Sequence, residues 1–313
     1  MPLHRVEGWK GLEPAVRGGA VALGNFDGVH RGHRQVIAEA AKAAGALGAP
    51  LGVIAFEPHP RVYFQREQTP FRLMTVEQQA RALDALGVDL FYILRFDEEL
   101  AHLSDEAFAR QVLHEGLGVR HVAAGFDISF GAGRTGSPES LRVFGERFGF
   151  GVSIATPVAD KDGEKCSSSA VRQALRDGRP ERAAALLARP FAIEGVVVHG
   201  DKLGRTIGFP TANIALGDYV RPAYGIYAVR TRLADGREIP GVAYVGRRPT
   251  VNGEDERLEV HLLDFDEDIY GQTIETDFVS FLRPDEKFDS LEPMIAQMER
   301  DKDAARRILT PPF

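Results

Sequence analysis

The sequence predicts an α/β domain followed by an all-β domain: a parallel sheet with helices on both faces, then a small antiparallel β-barrel with a C-terminal helix. Three observations carry this reading. Up to about residue 187, short apolar runs alternate with amphipathic stretches, the pattern of a parallel sheet with crossover helices. From Phe191 the apolar runs follow one another, separated by Gly, Pro and Asp turns with no helix between them, which is the pattern of a small barrel. The last stretch, Leu291–Leu309, is amphipathic, with Met294, Ile295, Met298 and Ile308 as its apolar members.

The elements follow in order. The apolar run Ala20–Leu23 stops at Gly24, and after a turn an Ala-rich helix is expected over 34–47. Residues 51–56 form the next strand. Residues 75–86 read as a helix, with Thr75 and Gln78 spaced as a capping box. A strand over 90–94 precedes a helix capped by Ser104 and running to about 117, with Asp105 and Glu106 in its first turn. His121–Gly125 is a strand. Residues 138–149 form a helix with Ser137 as cap and Pro138 at the first position, and 152–156 a further strand. Two short helical stretches, 171–175 and 182–187, are separated by Asp177-Gly178-Arg179-Pro180. Barrel strands are expected over 191–199, 226–233, 239–245, 258–263 and 274–282. The boundary falls near Ala188-Arg189-Pro190, giving domains over 1–187 and 188–313.

Composition narrows the function classes. The chain has 313 residues, 44% hydrophobic and 27% charged, as in a soluble globular protein of about two domains. A net charge of −7 disfavours broad attraction to nucleic acid or to an anionic membrane, while leaving room for local basic pockets. The single cysteine, Cys166, permits no intrachain disulfide and fits a reducing compartment. No apolar run reaches transmembrane length, and the first ten residues lack the apolar core of a signal peptide. A cytoplasmic setting is expected. The sequence leaves the oligomeric state open.

The most informative segment is Gly24-Asn-Phe-Asp-Gly-Val-His30-Arg-Gly-His33. It places Asn25, Phe26, Asp27 and Gly28 in a turn after a strand, and two imidazoles where a helix offers free backbone N–H groups to an anion. Imidazole donates to a phosphoryl oxygen, so the arrangement suits nucleotide phosphate chemistry. The segment also reads as an ordinary turn, with the histidines as surface residues or a pair of metal ligands. A zinc site needs three or four ligands, and no matching Cys or His cluster appears elsewhere.

In the second half, Gly200-Asp-Lys-Leu-Gly204-Arg-Thr-Ile-Gly208-Phe-Pro-Thr-Ala-Asn213 brings glycines, Lys202 and Arg205 together with a Thr/Asn pair. Glycines let backbone amides approach a phosphate, and Thr211 and Asn213 offer oxygens suited to Mg²⁺. It is not a Walker A loop, because the spacing is shorter and Arg205 replaces lysine. A Gly-rich hairpin is the other reading. Glu259, in Leu258-Glu-Val-His-Leu-Leu263, is either a solvent-facing strand residue or, facing a pocket, a base for a hydroxyl nucleophile. His261 shares its face and reads as structural. Weaker signals are the G-x-G-x-x-G of Gly131–Gly136, which lacks a dinucleotide-site context, the hydroxyls and arginine of Ser167-Ser168-Ser169-Ala-Val-Arg172, which resemble an anion site, and His59 in Phe56-Glu-Pro58-His-Pro60, held between prolines.

Together these segments, in this order, resemble the bifunctional prokaryotic riboflavin kinase/FMN adenylyltransferase (FAD synthetase) family from about Val21 to Arg306. Gly225-Ile-Tyr-Ala-Val, Gly246-Arg-Arg248-Pro-Thr250 and Leu282-Arg-Pro-Asp-Glu-Lys-Phe288 belong to the same resemblance. It implies a Rossmann-like nucleotidyltransferase domain and a riboflavin kinase-type barrel. The implied substrates are riboflavin, FMN and ATP with Mg²⁺, and the product is FAD. Implied catalytic residues are Glu259, His30 and His33, and implied metal ligands Thr211 and Asn213. Gly24, Asn25, Phe26, Asp27, Gly28, Ser168, Ser169, Arg172, Gly200, Lys202, Gly204, Arg205 and Gly208 would hold nucleotide and phosphate. Phe56, Pro58, His59, Asp127, Phe130 and Arg248 would contact the flavin. The chain departs from the family pattern at Ile128, Ser129, Ser169 and Tyr244. Other function classes compatible with the residues are an adenylyltransferase for a different phosphorylated metabolite and a non-catalytic flavin sensor.

Overall fold

A computed structural model describes residues 2–64, 69–160, 163–200, 204, 207–250 and 253–310, with the side chains of 248–250 and 253–255 outside the description. The chain gathers into two compact units. One holds Met1–Gln68 with Val76–Ser167, and the other Thr69–Thr75 with Ser168–Phe313.

The first unit is built on a six-stranded sheet: β1 (His4–Glu7), β2 (Ala20–Leu23), β3 (Leu51–Glu57), β4 (Leu90–Arg95), β5 (His121–Gly125) and β6 (Gly151–Ala155), in the order β1-β4-β3-β2-β5-β6. Every pairing is parallel. β2 is buried along its whole length, as an uninterrupted Ala/Val/Leu run in a covered sheet must be. The chain moves from β2 to β3 on one side and returns to β5 on the other. The order therefore reverses beside β2, and the carboxyl ends of β2 and β5 open a crevice there. β1 was not expected from the sequence. It is a short edge strand in which only Val6 is buried, so no apolar run marks it.

The helices begin and end where the caps dictate. α1 (Arg31–Leu47) buries Val36, Ile37, Ala40 and Ala44 along one stripe and stops at Gly48, whose φ of +57° supplies a left-handed cap. It starts three residues before the sequence pattern suggested, because His30 rather than the turn caps it. Short α2 (Pro60–Phe64), α3 (Val76–Asp84) and α4 (Glu98–His102) follow. Ser104 caps α5 (Asp105–Ala107), accepting from the Ala107 N–H at 3.1 Å. The helix runs on as a π-helical stretch over Phe108–Gly116, a wider turn that keeps Phe108, Ala109, Val112 and Leu113 all buried. α6 (Pro138–Phe148) carries the expected Ser137 cap, reciprocated by Ser140.

The second unit holds α7 (Ser168–Arg176) and α8 (Pro180–Leu187), then β7 (Phe191–Val196), β8 (Ala212–Ala215), β9 (Gly225–Arg232), β10 (Glu238–Thr250), β11 (Gly253–Leu262), β12 (Thr273–Pro284) and the closing helix α9 (Leu291–Leu309). The strands run antiparallel in the order β7-β12-β9-β10-β11-β8. The Val198 N–H, donating to Asn213 O at 2.9 Å, draws the two ends of the sheet together. Alternation is strict: Tyr227, Val229, Ala243, Val245, Leu258 and Val260 fill the interior, so Ile226, Val242, Tyr244, Glu259 and His261 share the opposite face. The sequence-based boundary at 187/188 falls after α7 and α8, which pack on each other and, through α8, on β7 and β12.

α9 keeps most of its expected apolar stripe, with Met294, Ile295 and Met298 half-buried. Ala305 and Leu309 pack against Ala228, whereas Ile308 is exposed. One turn before Ala305 lies Asp301, buried to 5% exposure. It accepts a two-pronged bond from Arg283, with Nε to Oδ1 at 3.0 Å and Nη2 to Oδ2 at 2.9 Å. A buried carboxylate held by a guanidinium fork thus fixes the helix at a position that apolar periodicity could not mark.

Candidate active sites

Among the described residues, each unit contains a cavity lined by residues that the sequence analysis singled out. The first, of about 940 Å³, opens at the carboxyl ends of the parallel strands. The turn after β2 and the start of α1 supply Gly24, Asn25, Phe26, His30 and His33; the end of β3 and the loop after it supply Phe56 and His59; the loop after β5 supplies Asp127 and Phe130. Two non-glycine residues of the β2 turn have left-handed backbones, Phe26 at φ +52° and Val29 at φ +43°. For a β-branched residue this is a true outlier, and such strain costs about 1–3 kcal/mol per residue and gathers at functional sites. It holds His30 at the N-cap of α1, where Nδ1 accepts the His33 N–H at 3.3 Å. A neutral His30 therefore carries its proton on Nε2. The two imidazoles stack with centroids 3.6 Å apart, and Phe26 packs on His33 at 5.1 Å. Asp27 is buried beneath the turn. Gly28 has φ +89°. Gly32 admits Cys166 O and the His30 ring within 3.0 Å of where a Cβ would stand.

The electrostatics of this cavity suit a polyanion. Arg61, Arg134 and Lys165 line it together with the imidazoles, and a helix N-terminus adds its dipole. Asp127 accepts from Lys165 Nζ at 2.5 Å. One wall is aromatic: Phe56 meets Phe96 at 5.9 Å, Phe108 meets Phe130 at 5.7 Å, and Phe64 stands 66% exposed at the rim. The sequence analysis named Phe56 and Phe130 and missed Phe64, Phe96 and Phe108; the signal available was Tyr63-Phe64, two residues beyond the Phe56–Pro60 motif. Burial, followed by the Asp160 charge, raises the Cys166 thiol above its ordinary range, so it stays protonated near neutrality. Pro58 is not among the lining residues. Ser168, Ser169 and Arg172 fall in the other unit. There Arg172 is buried, donating through Nε to Phe71 O at 2.7 Å with its guanidinium over the Phe71 ring.

The second cavity, of about 300 Å³, lies between the outward face of the barrel and α9. One row of strand partners forms its floor: Asn213 faces Glu259, which faces Tyr244, which faces Ile226. Strand β8, absent from the sequence reading, makes this row possible by setting Asn213 beside Glu259. Thr211, Gly200 and Gly204 line the same space. A Cβ on Gly200 would stand 2.5 Å from the Asn213 amide nitrogen, so that glycine lets the loop backbone lie on the Asn213 side chain. Asn213 Nδ2 donates to Thr211 O at 3.3 Å. Glu259 is half-buried, with Oε1 shut off from solvent. His261 is in the cavity as well, its Nδ1 bonded to Pro210 O at 2.9 Å, and burial lowers its pKa, leaving it neutral. Gly208 has φ +84° and does not line the cavity. Lys202 and Arg205 lie outside the described residues, as does the Arg248 side chain. The far wall comes from Asp285, Phe288, Met294 and Met298. The two methionines were read from the sequence only as an apolar stripe.

Among the described residues no group of three or more His, Cys, Asp or Glu side chains could hold a metal ion, and no helix is long and apolar enough to cross a membrane. The hard oxygens of Thr211, Asn213 and Glu259 in one cavity fit a Mg²⁺ ion bound mainly through substrate phosphates rather than by a protein cage.

Comparison with known proteins matches both halves. The family model described as FAD synthetase covers residues 13–170, and that described as riboflavin kinase covers 187–309. The chain is 40% identical over 304 residues to the bifunctional riboflavin kinase/FMN adenylyltransferase of Haemophilus influenzae, covering 97% of this chain and 98% of that one. It is 42% identical to the protein of the same name from Escherichia coli K12, over 96% of each chain. The corresponding Bacillus subtilis protein is 37% identical over 92% of this chain and 91% of its own. Among solved structures, a chain described as a macrolide-efflux protein from Streptococcus pneumoniae superposes with a TM-score of 0.86 at 32% identity, over 98% of this chain and 99% of that one.

Proposed function

The chain belongs to the bifunctional riboflavin kinase/FMN adenylyltransferase family, and from that premise we infer how its two cavities divide the conversion of riboflavin to FMN and of FMN to FAD. The barrel cavity phosphorylates riboflavin. A ribityl hydroxyl is fully protonated at neutral pH and gains from a general base, and Glu259, a carboxylate on the floor of that cavity next to Asn213, takes that part. Glu259 takes the hydroxyl proton as the oxygen attacks the γ-phosphorus of ATP, and ADP leaves. Thr211 and Asn213 would hold Mg²⁺, which neutralises phosphate charge when bound. Gly200 and Gly204 let backbone amides come close to the phosphates.

The sheet cavity adenylylates FMN. The nucleophile is a phosphate oxygen that is already anionic, so no base is required. It attacks the α-phosphorus of ATP, and pyrophosphate departs. Charge gathers on the phosphoryl oxygens and the leaving group, where His30, His33 and the α1 N-terminal amides serve as donors. The aromatic wall suits a planar ring system, and Arg61, Arg134 and Lys165 suit its polyanionic partners. We place the protein in the cytoplasm, with small molecules as its partners.

The observation that carries this division is the pairing of Glu259 with Asn213 across β11 and β8, which sets a base beside an oxygen ligand. Incubation with riboflavin, ATP and Mg²⁺ should give FMN first and FAD after it. FAD made only from supplied FMN, with riboflavin untouched, would favour an adenylyltransferase with an accessory barrel.

A further inference from the structure

Tyr244 stands next to Glu259 in the cross-strand row that floors the barrel cavity, so the two side chains share a face as immediate neighbours. Its hydroxyl donates to Asp285 Oδ2 at 2.9 Å. Asp285 lies between β12 and α9, and its other oxygen, Oδ1, accepts the Glu286 N–H at 2.9 Å. The carboxylate is thus oriented from its own backbone and reached by the tyrosine from across the sheet. Gly246 makes the arrangement possible, since a Cβ there would run into the Tyr244 hydroxyl. Tyr244, Asp285, Glu286 and Phe288 all line the cavity that holds Glu259.

We propose that Tyr244 is a positioning residue for the kinase reaction: its bond to Asp285 holds the 285–288 segment against the barrel and so sets the affinity of the cavity for riboflavin. The inference rests on the assignment of that cavity to riboflavin phosphorylation. Without the bond the segment must be ordered by the incoming ligand, which weakens binding without altering the base. The effect therefore falls on KM and not on kcat.

The test uses Y244F, D285A, the double variant and D285N in the full-length protein. Riboflavin affinity is read by quenching of flavin fluorescence, and riboflavin phosphorylation and adenylylation of supplied FMN by product separation. Y244F and D285A should each raise Kd and KM for riboflavin about tenfold, the scale of one hydrogen bond to a charged group. Their kcat should stay within about twofold, and FMN adenylylation should be unchanged. The double variant should match either single one. D285N should recover part of the loss seen in D285A, because its amide can donate to the tyrosine oxygen while Oδ1 keeps the Glu286 N–H, without the charge that strengthens the native bond. Wild-type KM and Kd in Y244F would overturn the proposal, as would additive effects or a D285N protein no better than D285A. A wild-type protein that failed to phosphorylate riboflavin would instead overturn the cavity's assignment, and this inference with it.

Discussion

His33 carries the adenylyl reading at the scale of single residues, and Glu259 carries the kinase reading. Both were singled out in the sequence because each belongs to a motif whose residue types fit the chemistry, and each lines a cavity. What the sequence did not disclose is how His30 is used. Its Nδ1 is occupied by the His33 N–H, which leaves Nε2 as the proton-bearing nitrogen of the neutral ring. Nor did it mark the left-handed Val29, since a valine gives no local warning of positive φ. Asp277 offers a separate check on the electrostatics. Burial first, and then the Glu275 charge, push it up to about 6 against the pull of Arg232. A carboxyl raised in the folded state binds protons more tightly there than in the unfolded chain. Its contribution to stability is therefore full below about pH 3.8 and lost as pH rises through about 6. Asp277→Asn removes the buried charge, so its thermal midpoint should exceed that of wild type at pH 7.5, with the gap closing at pH 4. A variant no more stable at pH 7.5, or a gap independent of pH, would show that Asp277 is solvated after all.

At the scale of elements, segments marked by an apolar run or a cap were read from the sequence, the four-residue β2 among them, and unmarked ones such as β1 were not. α1, α6 and β2 to β6 announce themselves by apolar spacing and caps. β8 has only four residues, Ala212–Ala215, and begins inside a motif that the sequence reading left as either a phosphate loop or a Gly-rich hairpin. Yet β8 is what sets Asn213 against Glu259. α9 was placed correctly as a helix, but of its stripe Ile308 is exposed, and the buried Asp301–Arg283 fork was not marked, because it obeys charge pairing rather than hydrophobic periodicity. The contact between the Gly200 backbone and the Asn213 amide gives this scale its prediction. Gly200→Ala should push Asn213 aside and lower riboflavin phosphorylation by up to about 10²-fold, the cost of a displacement near 1 Å at a reacting centre. Adenylylation of FMN should be retained. Unaltered phosphorylation in a folded Gly200→Ala protein would mean that the loop does not rest on Asn213 during the reaction.

At the scale of the molecule, the chain is two chemistries on two kinds of sheet. A parallel sheet gathers loops and a helix N-terminus at the carboxyl ends of its strands, which is where an anion is best met by amides and imidazoles. An antiparallel barrel presents alternate side chains of several strands on one face, which is where a carboxylate, an amide and a tyrosine can be set in a row. The switch from alternating elements to consecutive strands was readable in the sequence for that reason. The packing of Thr69–Thr75 and of α7 and α8 with the barrel unit was not, because single contacts such as Arg172 Nε to Phe71 O leave no periodic trace.

The central claim is that the two activities use separate residues, and it is tested by assaying His33→Ala and Glu259→Gln side by side for riboflavin phosphorylation and for FAD formation from supplied FMN. His33→Ala should lose FAD formation by about 10²–10⁴-fold and phosphorylate riboflavin normally, and Glu259→Gln should do the reverse, each loss being the usual scale for one catalytic donor or base. If either substitution, in a folded protein, removed both activities or neither, the division of labour would be contradicted.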